Sequence, residues 1–294
     1  MNTREEVAGL RFLLAAQSVL LGASLALCIW LLGERSAAMA AEPIPTAAIV
    51  ETAEKETEQT QVSTQQLEED LTREELAVQT FARENGIDLG QYPESILELL
   101  ERNPETIDFV LHYPLEYGKT PEVDLSAYEN SGSVPLFLQW DRQWGYMDYG
   151  NDVAALTACG PVCLSMAAYY LTEDAQMSPD NVIRFAIDNG YCAPGDGSYW
   201  SLMDQGAAEL GLEGVMVEPR EQTVVENLEA GWPIVCVVGP GDFTSSGHFI
   251  LLAGLEDGLI RINDPNSMEN SQRLWKYEEI EDQILGMWVM RYYK

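Results

Sequence analysis

Hydrophobic and polar positions divide the chain into stretches of different character. Residues 12–33 run without an ionised side chain, long enough for the roughly 20 residues of a membrane-spanning helix. Residues 41–66 are rich in Glu, Thr, Gln and Ala and hold no aromatic side chain, so they read as a solvated stalk. Helical patterning begins near Leu71. Thr72 and Glu75 are spaced as a capping box, and Leu71 and Leu76 as a hydrophobic staple. That helix carries Leu76 and Phe81 and is expected to stop near Gly86. Pro93 opens a second helix with Ile96, Leu97 and Leu100. Pro104 opens a third with Ile107, Val110 and Leu111, ended by Pro114. Together these form a small helical segment over 67–116, with His112 as a structural or solvated side chain, and 117–133 reads as a linker.

From residue 134 the pattern changes. Aromatic side chains crowd in at Phe137, Trp140, Trp144, Tyr146 and Tyr149. Helices are predicted over 161–171, 179–189, 199–210 and 224–230. After Trp232 and Pro233 the period becomes that of strands: 234–238, then 248–255 and 259–263 around a turn at Asp257-Gly258, then 287–293. Helices followed by antiparallel strands make an α+β domain over 134–294.

Charge changes the picture. Forty-eight acidic and 16 basic side chains give a formal net charge of -32, a field that repels phosphate backbones, so nucleic acid is not an expected partner. Cys159 and Cys163 stand one helical turn apart, but no second pair accompanies them and there are only two histidines, so neither a metal nor another cofactor is expected. Arg4 and Arg11 precede the apolar run and favour an N-terminus held inside the cell. Ala38-Met39-Ala40 offers a cleavage site, so residues 1–40 are either a membrane anchor or a cleaved signal peptide. Both readings put the chain after Ala41 outside the cytoplasm.

The candidate chemistry centres on Cys159, which stands in Cys159-Gly160-Pro161 directly before an apolar-periodic helix. A helix N-terminus favours the thiolate. His248 follows a loop rich in Gly and polar residues and begins an apolar strand, where a base is rigidly held yet close to solvent. The hairpin turn folds the next strand back, which brings Asp264 near His248; Asn263 is the other candidate for orienting the imidazole. Gln139 carries an amide able to donate to an oxyanion. Cys163, Cys192 and Cys236 read as buried structural cysteines.

These pieces, Pro135 to Asp141 with Gln139, Cys159-Gly160-Pro161, Gly247-His248-Phe249 and Asn263-Asp264-Pro265-Asn266, resemble in kind and order the C39-like peptidases of the papain-like cysteine peptidase clan. The resemblance spans roughly 135–288. It implies a papain-like fold, helices packed on an antiparallel sheet, with Cys159 as nucleophile, His248 as base, Asp264 as orienting acid and Gln139 as oxyanion donor. It also implies a peptide or protein substrate. Two features depart from the family pattern: Gln139 lies 20 positions before Cys159, and Ala158 stands where an Asp often precedes the Cys-Gly pair. The same triad would also serve a cell-wall amidase or acyl transferase, and an inert site would leave a peptide-binding surface module.

Overall fold

The computed structural model describes residues 71–120, 122–195 and 197–293, in two compact units divided between Pro114 and Leu115. The apolar run over 12–33 and the stalk over 41–66 lie outside the described residues. Among the described residues no helix is long and apolar enough to cross a membrane.

The first unit holds α1 (Arg73–Asn85), α2 (Glu94–Arg102) and all but the last two residues of α3 (Ile107–Glu116). Thr72 and Glu75 close the capping box at the start of α1, and Gly86 ends it in the left-handed conformation. The staple does not form its buried contact: Leu76 is 41% exposed, and Val78 and Ala82 carry the buried face. Pro114 does not end the third helix, which continues to Glu116. A proline this close to a helix end removes only one backbone donor. The core gathers Ile96, Leu99, Leu100, Phe109 and Val110. His112 is held by the Asp108 carbonyl at 2.8 Å and packs edge-on against Phe81.

The second unit is built on a six-stranded antiparallel sheet. Its strands are β3 (Glu213–Met216), β4 (Ile234–Val238), β5 (His248–Glu256), β6 (Leu259–Asn263), β7 (Leu274–Trp275) and β8 (Ile284–Arg291), in the order β3-β8-β4-β5-β6-β7. A separate two-stranded ribbon pairs β1 (Asp148–Tyr149) with β2 (Asp152–Val153). The helices are α4 (Ala154–Thr157), α5 (Cys159–Thr172), α6 (Pro179–Asp188), α7 (Gln205–Glu209), α8 (Glu221–Glu229), α9 (Met268–Gln272) and α10 (Tyr277–Ile280).

Both faces of the sheet are covered. On one face Val235, Val237, Phe249, Leu251 and Trp288 pack with α5, whose residues Gly160 to Tyr169 are all buried. On the other, Ile234, Cys236, Ile250, Leu252 and Met287 pack with Val224 and Leu228 of α8 and with Trp275 and Ile280. The central strand β4 is therefore apolar at every position rather than alternating, because neither of its faces meets water. Leu125, from the stretch read as a linker, is part of the first of these cores.

The segment predicted as one helix over 199–210 is instead a single 3-10 turn, Trp200–Leu202, followed by the short α7, which begins after Asp204. The last strand begins and ends earlier than its pattern indicated, at Ile284–Arg291. The edge strands β3 and β7, the β1–β2 ribbon and the short helices α9 and α10 have no counterpart in the sequence reading.

Candidate active site

Cys159 is the first residue of α5, and Pro161 sits two residues on, within the first turn, where its missing N–H costs nothing. Gly160 is required by a close approach: a Cβ there would lie 2.7 Å from Ser198 Oγ and 2.9 Å from Ser198 Cβ. Ser198 is itself tied to the buried Tyr149, hydroxyl to hydroxyl, at 2.6 Å. The approach to α5 is anchored by Thr157, whose hydroxyl donates to the carbonyls of Tyr149 and Val153 at 2.8 and 3.1 Å.

His248 is the first residue of β5 and pairs with Val238 of β4. The turn at Asp257 and Gly258, both at positive φ, reverses the chain into β6. Asn263 then pairs with Leu251, so the next residue stands beside Ile250, and the diagonal neighbour two positions along is His248. That register brings Asp264 Oδ1 to 2.8 Å from His248 Nε2. Both are enclosed, His248 at 8% exposure and Asp264 at 1%.

The alternative orienting residue, Asn263, is used elsewhere. Its amide donates to the Pro135 carbonyl at 2.8 Å, fastening the start of the domain to the end of β6. Asp264 is held from several sides. Asn266 N donates to Oδ1 at 2.9 Å, Asn270 Nδ2 to Oδ2 at 2.8 Å, and the backbone N–H of Asp264 donates to Ser271 Oγ at 2.9 Å.

Nε2 is committed to Asp264, which leaves Nδ1 for Cys159, and the interaction of thiol and imidazole shifts both groups. Burial alone would push the Cys159 thiol up. The His248 hydrogen bond and charge, with the backbone N–H groups of Phe249 and Gly160, outweigh it and hold the thiol below its ordinary range. Burial alone would lower His248, and the hydrogen bonds and charges of Asp264 and Cys159 reverse this, raising it to about 10. A proton on the imidazole and a thiolate on the cysteine is the state this geometry favours. The other described cysteines go the opposite way: burial raises Cys163, Cys192 and Cys236, and all four described cysteines are free.

Gln139 is buried at 4% exposure. Its backbone N–H donates to the Pro265 carbonyl at 2.7 Å, which ties it to the residue after Asp264. Its side-chain Nε2 donates to the Ala155 carbonyl at 2.6 Å, four residues before Cys159, and its Oε1 has no partner. Among the described residues no group of three or more His, Cys, Asp or Glu side chains is arranged to hold a metal ion.

The structure thus brings Cys159, His248 and Asp264 together and fastens Gln139 to the segments on either side of them. Sequence reasoning missed Asn270, Ser271, Ser198 and Tyr149. Only Ser267, followed three residues later by Asn270, left a signal there, as the N-cap of α9.

A cysteine at a helix N-terminus facing a strand-borne imidazole with a carboxylate behind it is the arrangement of the papain-like class of thiol peptidases. The chain belongs to the Peptidase_C39 like family, whose model matches residues 132–293. Among solved structures it is similar to the peptidase domain of Streptococcus ComA, a bi-functional ABC transporter involved in a quorum-sensing pathway. That match has 16% identity and a TM-score of 0.36, and covers 47% of this chain and 98% of that one. It is also similar to a chain described as a C39-like peptidase from Bacillus anthracis, at 15% identity and a TM-score of 0.33, covering 56% of this chain and 98% of that one. No curated protein matches the chain.

Proposed function

We propose that the second unit is a cysteine peptidase that cleaves amide bonds of a peptide or protein through Cys159, His248 and Asp264. The observation that carries this reading is the Cys159–His248–Asp264 chain, half-buried at the thiol and enclosed at His248 and Asp264, with the thiol lowered and the imidazole raised. The Cys159 thiolate attacks the scissile carbonyl carbon and its electron pair becomes the C–S bond. The carbonyl oxygen takes up the negative charge, stabilised by the backbone N–H of Cys159 and by the Gln139 amide. The imidazolium of His248 gives its proton to the departing amine as the C–N bond breaks. The neutral imidazole then takes a proton from water, whose oxygen attacks the thioester and releases the acid. Asp264 holds the ring with Nδ1 toward sulfur and stabilises its charged form.

The apolar run over 12–33 supports a further reading: the peptidase unit works outside the cytoplasm, tethered by that segment or released after its cleavage. An alkaline phosphatase fused after residue 66 in bacterial cells is expected to be active, and an inactive fusion would overturn that reading.

The test of activity is release of new amino termini from a library of internally quenched peptides. Release by the wild type and none by Cys159→Ala is the expected result. A wild type whose Cys159 is alkylated rapidly but which frees no amine from any peptide would overturn the peptidase reading in favour of another amide or acyl acceptor.

A further inference from the structure

The carboxylate behind His248 has two oxygens, and they are used differently. Oδ1 accepts from His248 Nε2 at 2.8 Å and from Asn266 N at 2.9 Å. Oδ2 accepts from Asn270 Nδ2 at 2.8 Å. Asp264 follows β6 on an irregular segment, so strand pairing beyond an isolated bridge to Ser267 does not fix its χ angles. The two donors on Oδ1 act on one oxygen only, and a third donor on Oδ2 resists rotation about the Cβ–Cγ bond more firmly than they do alone.

Asn270 is built into the fold in a way that suits this task. Its backbone N–H donates to Ser267 Oγ at 3.1 Å, closing the first turn of α9. Its carbonyl accepts from the indole of the buried Trp275 at 3.0 Å. The neighbouring Ser271 hydroxyl donates to the Ser267 carbonyl at 2.7 Å and accepts from the Asp264 backbone N–H at 2.9 Å. The short helix α9 is thereby latched to Asp264 through both backbone and side chain, and its other end is seated on Trp275 in the second core.

We propose that Asn270 is a positioning residue for the catalytic triad: its amide fixes the Asp264 carboxylate in the orientation that presents Oδ1 to His248. This rests on the reading of Cys159 and His248 as an activated pair. The ionisable groups that face His248 are Asp264, from the segment after β6, and Cys159, from α5; Cys163 on α5 also feels both of them. Asn270 is neutral, so its removal changes geometry and hydrogen bonding at the carboxylate without removing a charge. A carboxylate that rotates away from Nε2 stabilises the imidazolium less, and the thiol then holds its proton to higher pH.

The test uses the full chain and needs no substrate. Alkylation of Cys159 by iodoacetamide is followed by intact mass from pH 5 to 9 for wild type, Asn270→Ala and Asn270→Leu, with folding checked by circular dichroism. Asn270→Leu is close in size and neutral but cannot donate, which separates loss of the hydrogen bond from loss of volume. Both variants are expected to have the acid limb moved up by about one pH unit, which makes labelling on that limb about tenfold slower, a change of about 1.4 kcal/mol. A wild-type profile in either folded variant overturns the proposal.

A second readout does not depend on alkylation. His112 and His248 are the two histidines of the chain, so the imidazole nitrogens and the low-field Nε2 proton of His248 can be assigned by NMR in a His112→Gln background. Loss or upfield movement of that proton in the Asn270 variants supports the proposal, and an unmoved resonance overturns it. Slow labelling already in the wild type would mark failure of the activated-pair reading itself; fast wild-type labelling with unaffected Asn270 variants would mark failure of this inference alone.

Discussion

Replacing Gly160 by Ala places a methyl carbon where the structure has no room. The new Cβ would stand 2.7 Å from Ser198 Oγ and 2.9 Å from Ser198 Cβ. An ordinary contact needs 3.4 Å, so one side must move by about 0.7 Å at the hydroxyl. Neither side gives easily. Ser198 is held by the buried Tyr149 hydroxyl at 2.6 Å and lies in an isolated bridge with Cys192. Gly160 opens the stretch Gly160 to Tyr169 of α5, all of it buried. Overpacking of this kind costs about 1–3 kcal/mol. The displacement also carries the Gly160 N–H away from the Cys159 sulfur, one of the groups that lower the thiol. Gly160→Ala is therefore expected to lower the urea midpoint and to slow Cys159 alkylation at neutral pH. Adding Ser198→Gly removes both atoms that clash, so the double variant should recover about 1–2 kcal/mol relative to the sum of the single changes. A Gly160→Ala protein as stable and as reactive as wild type, or a loss that Ser198→Gly does not relieve, would refute the packing argument.

Asp264→Ala removes the acceptor behind the imidazolium; a fall in peptide cleavage of about 10²–10⁴-fold is expected, and a change under tenfold would contradict the orienting role. Gln139→Ala should reduce cleavage by about 10²–10³-fold, mainly in kcat, since an oxyanion donor acts on the transition state; a change confined to KM would contradict it. The Cys159–His248 pair also predicts how stability follows pH. The raised imidazole contributes stability that is full below its ordinary 6.5 and is lost as pH rises through about 10. The lowered thiol contributes stability that is full above its ordinary 9.0 and is lost as pH falls through its folded value. In the part of the range between 6.5 and 9.0 that lies above the folded value of the thiol the two slopes cancel, because the thiol proton has moved onto the imidazole. The stability difference between wild type and a Cys159→Ala, His248→Ala double variant should be flat across that window and decline on both sides. A single slope through it, read from urea unfolding at stepped pH, would contradict the ion pair.

Local chemistry made some of this structure legible in the sequence. Thr72, Glu75 and Gly86 bound their helix because capping is decided within a few residues. Asp257-Gly258 announced its hairpin because both positions need positive φ, and strands β4 and β6 stand where their apolar runs put them. Cys159 was legible because Gly-Pro after it opens a helix, and Asp264 because the hairpin register follows from the turn. What escaped depends on partners distant in sequence. The strand β3 is a four-residue sheet edge containing Gly214, defined by its pairing with β8 rather than by any period of its own. The segment 199–210 has helical composition, yet its first turn is 3-10 and α7 begins only after Asp204. The choice between Asn263 and Asp264 turned on which side chain the Pro135 carbonyl claims, 128 residues away. Asn270 carried no signal toward the triad because an Asn in a polar loop looks the same whether it faces water or a buried carboxylate.

The most direct test of the central claim is the pH dependence of Cys159 alkylation by iodoacetamide, read by intact mass beside Cys159→Ala and His248→Ala. Rapid single-site labelling at pH 7, absent in the first variant and slowed at least tenfold in the second, is the predicted result. Slow labelling spread over several cysteines and indifferent to His248 would contradict the activated pair, and with it the peptidase reading.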